Sequence, residues 1–291
     1  MSIFVYDRRT GGTYVEDQYG AGQLHFLYET ILGRILLEFF VSKAYSRFDA
    51  KRNSRPRSAK KIAPFIEQYG IDLNDFEGAP YASFSDFFTR KIKPEKRPVA
   101  SDPNALVAPA DSKLLVYEIS TALDVEIKNS VYTIAELLGE DCTEDYAGGM
   151  LLVFRLSVDD CHRYIFFDDG EVCGTKIIKG VLHTVTPIAA KRHKVFAENY
   201  RVCTAFDTEH FGRATQIEIG ALLVGRICNH ETSAFRRGME KGFFGLGGST
   251  IVLLLPKDAA VIDADIIAYS KNGIETKMRL GEQIGRANFR G

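Results

Sequence analysis

The amino-acid sequence predicts an α+β fold, with a helical N-terminal region over residues 1–98 and a β-rich catalytic domain over residues 99–291. Three observations support that division. Apolar residues recur at three- and four-residue spacing from Leu24 to Phe40, the period of one helix face. After Pro98 they gather instead into short runs with the length and branching of strands. Gly, Asp and Asn punctuate those runs. At 291 residues the chain is long enough to bury a substantial core.

Taken in order, residues 1–20 read as an irregular, polar lead-in. Leu24, Leu27, Tyr28, Ile31, Leu32, Ile35, Leu36, Phe39 and Phe40 then form one wide apolar stripe. A basic segment follows at Lys51, Arg52, Arg55, Arg57, Lys60 and Lys61. An apolar face beside a cationic cluster suits attachment to an anionic leaflet, where each basic residue adds about 1 kcal/mol. The same pattern suits a helix packed on the protein's own core with a solvated basic loop behind it. A second helix is expected over Ile62 to Tyr69, and Pro94 and Pro98 stop helix propagation after Arg90 and Lys91. Strands are expected at Leu114 to Glu118, Met150 to Leu156, Thr175 to Leu182, Ala214 to Val224 and Ile251 to Leu255.

Composition narrows the function. A formal net charge of -1 argues against a general nucleic-acid binder. Cys142, Cys161, Cys173, Cys203 and Cys228 are an odd set without a CxxC pair, so neither a disulfide framework nor a structural zinc site is expected. Nothing at the N-terminus resembles a signal peptide, and a reducing, cytosolic face is the expected setting. No apolar run approaches the ~20 residues that a membrane-spanning helix needs.

The stretch Lys241 to Pro256 draws most attention. Gly242, Gly245, Gly247 and Gly248 lead into Ser249-Thr250, and an unbroken apolar strand follows. Glycine permits positive φ and close approach, so a serine at such a turn can reach the carbonyl of the residue before it. Elsewhere, Asp111 lies between a proline turn and a strand. His162 and Arg163 follow the Met150 to Leu156 strand, and His183 follows another apolar run. A histidine there can move protons near neutrality, and an arginine can hold a carboxylate or phosphate; Arg163 and Arg90 are the phosphate candidates on charge. Asp111, a histidine and Ser249 suffice for an acid–base–nucleophile set.

Several segments in order resemble one family. They are Phe87-Phe-Thr-Arg90 with Arg97-Pro98, Pro109-Ala-Asp111, Asp160-Cys-His-Arg-Tyr164 and Val185-Thr-Pro187. Val195-Phe-Ala-Glu-Asn-Tyr-Arg201, Gly220-Ala-Leu-Leu-Val-Gly225, Gly242-Phe-Phe244, Gly247-Gly-Ser-Thr250 and Gly281-Glu-Gln-Ile-Gly285 continue the series. From about Phe84 to the C-terminus the chain resembles phosphatidylserine decarboxylase, a pyruvoyl-dependent enzyme; the helical N-terminus matches in character only.

That resemblance implies a self-cleaving proenzyme. Ser249 attacks the preceding carbonyl, β-elimination opens the resulting ester, and the chain is cut between Gly248 and Ser249. Residues 1–248 and 249–291 become two subunits held by strand pairing, and Ser249 becomes a covalent pyruvoyl cofactor. The implied reaction turns phosphatidylserine into phosphatidylethanolamine and CO2 through a Schiff base to the pyruvoyl ketone. By resemblance Asp111 is the acidic member of the cleavage set and Ser249 its nucleophile. His162 matches the first histidine of the family motif and handles protons around the substrate carboxylate or carbanion. No metal is implied. The expected partners are phosphatidylserine and an anionic membrane surface, with no nucleic acid. The expected assembly is a homodimer, peripheral on the cytoplasmic face of the cell membrane.

The sequence departs from the family pattern at three places. Ile165 stands where a second histidine usually serves the cleavage, Ser112 replaces a glycine, and Tyr200 replaces a glutamate. Proximity supplies part of the barrier, and general-base help is typically worth about 10²–10⁴-fold. His162 or His183 is then the candidate replacement base. Other readings are an uncleaved paralogue that binds phospholipid and a pyruvoyl decarboxylase for another amino acid. A conventional serine hydrolase fits least, because no GxSxG surrounds Ser249.

Overall fold

The computed structural model describes residues 3–16, 20–127, 130–140, 144–222, 226–247 and 249–288. Gly248, Cys142 and residues 223–225 lie outside the described residues.

The chain begins with a hairpin, β1 (Ile3–Asp7) and β2 (Gly12–Glu16), so the expected irregular lead-in is corrected. Ile3, Val5 and Asp7 alternate inward, which is the period that a half-buried strand requires. Five helices follow: α1 (Ala21–Glu29), α2 (Ile31–Phe40), α3 (Lys43–Asn53), α4 (Ile62–Tyr69) and α5 (Phe84–Phe88). The single apolar stripe is also corrected, because it breaks into α1 and α2 at Thr30. Thr30 takes an extended backbone, and its Oγ1 accepts the Gly33 N–H at 2.9 Å, capping α2. Gly33 crosses α1 so closely that a Cβ there would stand 1.9 Å from the Phe26 carbonyl oxygen. The break turns Leu24, Tyr28 and Leu37 inward and leaves Ile31, Leu32, Ile35 and Phe39 exposed.

The remaining strands are β3 (Ala105–Val107), β4 (Ser112–Glu118), β5 (Asp124–Ile127), β6 (Ser130–Thr133), β7 (Met150–Leu156), β8 (Arg163–Ile165), β9 (Gly170–Ile178) and β10 (Arg201–Thr208). They continue with β11 (Gly212–Ile219), β12 (Ile227–Asn229), β13 (Ala234–Phe235), β14 (Glu240–Phe244), β15 (Ser249–Leu255), β16 (Ala260–Ile262), β17 (Glu275–Met278) and β18 (Gln283–Ala287). Helices α6 (Ile134–Leu138), α7 (Pro187–Ala190), α8 (Val195–Glu198) and α9 (Ala264–Lys271) lie between them. Fold class is therefore α+β, built on one ten-stranded sheet of order β13-β9-β10-β11-β15-β7-β4-β17-β1-β2. The strand expected over Thr175 to Leu182 instead ends at Ile178. Beyond it, the Val181 and Leu182 N–H groups bond to the Glu198 and Val41 carbonyls outside the sheet.

β15 lies between β11 and β7, antiparallel to both, and every residue of it is buried. Its side chains alternate between two cores. Ile251, Leu253 and Leu255 join Leu156, Tyr164, Ile165 and Phe244 on one face. Val252 and Leu254 join Leu24, Tyr28 and Leu37 on the other. The first face is covered by the small sheet β12-β14-β8, and the second by α1 and α2.

Candidate active site

Ser249 opens β15 opposite Leu156, two residues before Ile251, so strand alternation turns its side chain to the β8–β14 face. It is fully buried and its Oγ has no hydrogen-bond partner among the described residues. The Oγ1 of the next residue, Thr250, is likewise unpaired. Gly247, one position before the undescribed Gly248, has φ +108°, a conformation suited to glycine. An unsatisfied buried hydroxyl costs about 1–3 kcal/mol, so two in succession at a strand start mark a place not optimised for stability.

His162 lies on the same side of the sheet. Its carbonyl accepts the Phe244 N–H, and its ring packs 4.4 Å from Phe88 and 6.4 Å from Phe244. Nδ1 stands 3.0 Å from the Asp160 carbonyl oxygen, which can only accept, so Nδ1 carries the proton. Nε2 is then a lone-pair nitrogen, and it too is buried without a partner. Burial pushes the imidazole down to about 3, so it stays neutral at physiological pH.

Asp111 is not joined to either group. Arg97 grips its carboxylate through Nε at 2.9 and 3.2 Å and through Nη2 at 2.9 Å, and the Leu280 N–H adds a bond of 2.8 Å. The expected acid–base–nucleophile set is therefore not hydrogen-bonded as a triad. Ile165 explains why. Its N–H bonds to the Pro109 carbonyl, beside the Asp111 turn, but its side chain packs into the apolar core. The other departures are absorbed locally. Ser112 needs no positive φ and donates its hydroxyl to the Ala110 carbonyl, and Tyr200 receives the Lys43 ammonium 3.5 Å from its ring centre.

His183 belongs to the opposite face. Tyr28 Oη accepts the Thr184 N–H and is hydrogen-bonded to His183 Nδ1 at 3.1 Å. The imidazole stacks on His193 at 3.8 Å, and burial and that neighbour push it down to about 4. His183, His193 and Glu198 have ligand atoms close enough to suggest a metal. The two ring planes are only 22° apart, however, so their in-plane lone pairs do not converge on one ion. The phosphate candidates are also engaged. Arg163 binds the Thr89 carbonyl and Glu240, and Arg90 is buried against the Asp159 carbonyl.

Near the start of β15 lies a cavity of about 470 Å³. Gly247 and Leu156 reach it from the sheet, Leu24 and Leu27 from α1, and Thr184 and Thr186 from the loop after His183. Its charged lining of Glu16, Arg155 and Asp159 is not foreshadowed in the sequence, and Glu16 and Arg155 belong to a wider buried ion network. Arg155 pairs with Glu16 and Glu275, while Lys113 bonds to Asp160 at 2.7 Å and to Glu16 at 3.2 Å. Burial pushes the Asp160 carboxyl up to about 7 against the pull of Lys113. The available signal was a charge inside an apolar run, as with Arg155 in Met150–Leu156, because a buried polar residue is the informative exception.

The site thus presents a glycine turn, a buried strand-initial serine with an idle hydroxyl and a neutral histidine on the same side of the sheet. A family model described as phosphatidylserine decarboxylase matches residues 84–286. A Clostridium acetobutylicum protein named phosphatidylserine decarboxylase proenzyme 2 is 51% identical over 290 residues, covering 99% of this chain and 100% of its own. Phosphatidylserine decarboxylase proenzymes of Clostridium botulinum and Fusobacterium nucleatum are 39% and 36% identical; the alignments cover 97% and 96% of this chain and 98% and 96% of theirs. The chain belongs to the phosphatidylserine decarboxylase family.

Proposed function

We propose that this protein is a phosphatidylserine decarboxylase proenzyme that makes its own catalytic group from Ser249. The observation that carries the reading is the partnerless, fully buried Ser249 hydroxyl directly after the glycine turn. Ser249 Oγ attacks the Gly248 carbonyl carbon, the Gly248–Ser249 C–N bond breaks, and an ester forms. Loss of the Ser249 α-proton then breaks the Cβ–Oγ bond, leaving a Gly248 carboxylate and a dehydroalanine. Water replaces the nitrogen of that residue, ammonia leaves, and a pyruvoyl group remains at position 249.

The site fits such a group, since residue 249 is held by pairing with Leu156, which lines the cavity together with Gly247. The ketone supplies an electrophilic carbonyl and electron sink that no side chain offers. His162 Nε2 is the base for cleavage in this reading, because it is neutral and faces the same side as Ser249, whereas His183 lies across the sheet and its Nδ1 is already occupied. The same nitrogen later handles the proton that replaces the departing carboxyl group. Asp111, locked to Arg97, anchors the turn before β4. Leu24 and Leu27 give the cavity an apolar wall for the lipid portion of the substrate, and Thr184, Thr186 and Ser157 offer hydroxyls to its headgroup.

Membrane docking belongs to the same proposal. Ile31, Leu32, Ile35 and Phe39 face outward on α2, and Lys51, Arg52, Arg55, Arg57, Lys60 and Lys61 are all exposed nearby in the chain. Among the described residues no helix is long and apolar enough to cross a membrane. This supports a peripheral protein on an anionic, cytoplasmic leaflet. A homodimer is part of the reading, with the exposed edge strand β2 (Tyr14, Val15) as the surface offered to a second copy.

Denaturing mass analysis tests the core claim. Two fragments, the smaller blocked by a carbonyl that hydrazine traps, together with release of phosphatidylethanolamine from phosphatidylserine vesicles, are expected. An intact 32.5 kDa chain overturns it. That outcome favours the uncleaved phospholipid binder, to which the apolar packing of Ile165 points. Release of CO2 from a free amino acid but not from the lipid would indicate the third reading.

A further inference from the structure

Arg90 is a buried cation to which the mechanism above gives no task. Arg90 is 2% exposed, and among the described residues no carboxylate lies within ion-pair distance of its guanidinium. Its Nε has no partner at all. A buried arginine without a counterion is costly, and nothing about the turn after α5 that carries it requires one.

Its hydrogen bonds tie its own segment to one turn. Nη2 donates to the Asp159 carbonyl at 2.9 Å and Nη1 to the Phe87 carbonyl at 3.3 Å. The guanidinium is held over the Phe76 and Phe87 rings, 4.5 and 4.8 Å from their centres. From the other side, the Cys161 thiol donates to the Arg90 carbonyl at 3.5 Å, and Arg163 Nε donates to the Thr89 carbonyl at 2.9 Å. Phe88 supplies the ring on which His162 rests. The segment from Phe87 to Arg90 thus grips Asp159, Cys161 and Arg163, the residues on both sides of His162.

We propose that Arg90 is a positioning residue that fixes the Asp159–Arg163 turn and so presents His162 Nε2, unprotonated, on the Ser249 side of the sheet. This rests on the reading of His162 as the base, and gives a physical task to an arginine that charge alone would have sent to a phosphate. Its positive charge acts with its hydrogen bonds: Arg90 and Lys113 disfavour a proton on His162, Asp159 favours one, and the Asp160 carbonyl holds Nδ1–H. Geometry and charge are separable. Lysine keeps the charge but cannot bridge both carbonyls, and methionine keeps the bulk without the charge.

The test uses full-length chains. Cleavage of newly synthesised wild type, Arg90→Lys and Arg90→Met is followed on denaturing gels, and the His162 imidazole is titrated by NMR in each chain carrying Ser249→Ala. Both variants are expected to slow cleavage by up to about 10²-fold, the scale of a misplacement of about 1 Å. The His162 midpoint should stay low with lysine and rise with methionine, burial still holding it below the usual histidine value. Wild-type cleavage in Arg90→Lys, or an unmoved midpoint in Arg90→Met, overturns the proposal. If the methionine variant does not fold, the lysine variant decides alone. A dead His162→Ala beside fully active Arg90 variants removes only this inference, whereas normal cleavage in His162→Ala removes the reading beneath it.

Discussion

Two buried histidines sit on opposite sides of one sheet, and their surroundings differ in a way that separates scaffold from chemistry. His183 has its Nδ1 satisfied by Tyr28, its backbone clamped by Asn199 and its ring stacked on His193. His162 is more deeply buried, yet among the described residues its Nε2 has no partner, and the Ser249 hydroxyl on the same side of the sheet is equally idle. Satisfied polar groups in a core specify the fold, whereas idle ones reduce its stability and call for another explanation.

The sharpest way to break that contrast is at the serine. Ser249→Ala should abolish cleavage entirely, leaving one 32.5 kDa chain by denaturing mass analysis. It should not destabilise the uncleaved fold, since it deletes a hydroxyl whose unpaired burial costs about 1–3 kcal/mol. A lower melting temperature for the variant would show that this hydroxyl has a partner after all.

The histidines come next. His162→Asn is expected to slow cleavage by about 10²–10⁴-fold, the usual worth of a general base. His183→Asn should leave the cleavage rate within about threefold and lose about 1 kcal/mol of stability with its Tyr28 bond. The opposite ranking, in a time course of chain cutting, would exchange their roles.

Acid sharpens the comparison further. Burial holds His162 at about 3 and His183 at about 4, both below their unfolded value near 6.5. Each is neutral when folded, and the unfolded chain takes up the proton first. Their contribution to stability is therefore complete above about pH 6.5 and is lost as pH falls toward 3–4. Cleavage, if His162 is the base, should be flat from pH 8 to about 5. A break near 6.5 in the cleavage rate would mean that the imidazole is solvated.

The smallest effect is expected at the surface. Ile35→Asp should weaken binding to phosphatidylserine-containing vesicles about tenfold, or 1.4 kcal/mol, without changing the rate of self-cleavage. Equal flotation of variant and wild type would return α2 to an ordinary exposed helix.

Much of this was legible in the sequence where one local rule dominates. Met150–Leu156 reads as a strand because a short apolar run, interrupted only by Arg155 and buried on both faces, has no competing period, and Ile62–Tyr69 reads as a helix ending at the left-handed Gly70. The α1–α2 break was not legible, because Leu24 to Phe40 keeps helical spacing across Thr30 while a side-chain cap and a glycine contact turn the chain. The hairpin β1–β2 was missed for a different reason. It joins the sheet through β17, about 270 residues away, and no local pattern announces so distant a pairing. In the site, Ser249 and His162 could be named from their setting. Their shared face, the capture of Asp111 by Arg97 and the clamp on the His162 turn depend on tertiary contacts that spacing does not encode.

The placement of the last forty residues has one more consequence. β15 sits between β11 and β7 and β17 between β4 and β1 in the large sheet, while β18 pairs with β3 in a small one, so the C-terminal piece is woven into two sheets at separate points. Once the bond before Ser249 is cut, that weave becomes an agreement between two molecules. A denatured proenzyme can search for its fold alone, at a rate indifferent to dilution. A denatured mature enzyme must first find its other half, so it should recover more slowly as concentration falls and, in practice, be replaced rather than repaired.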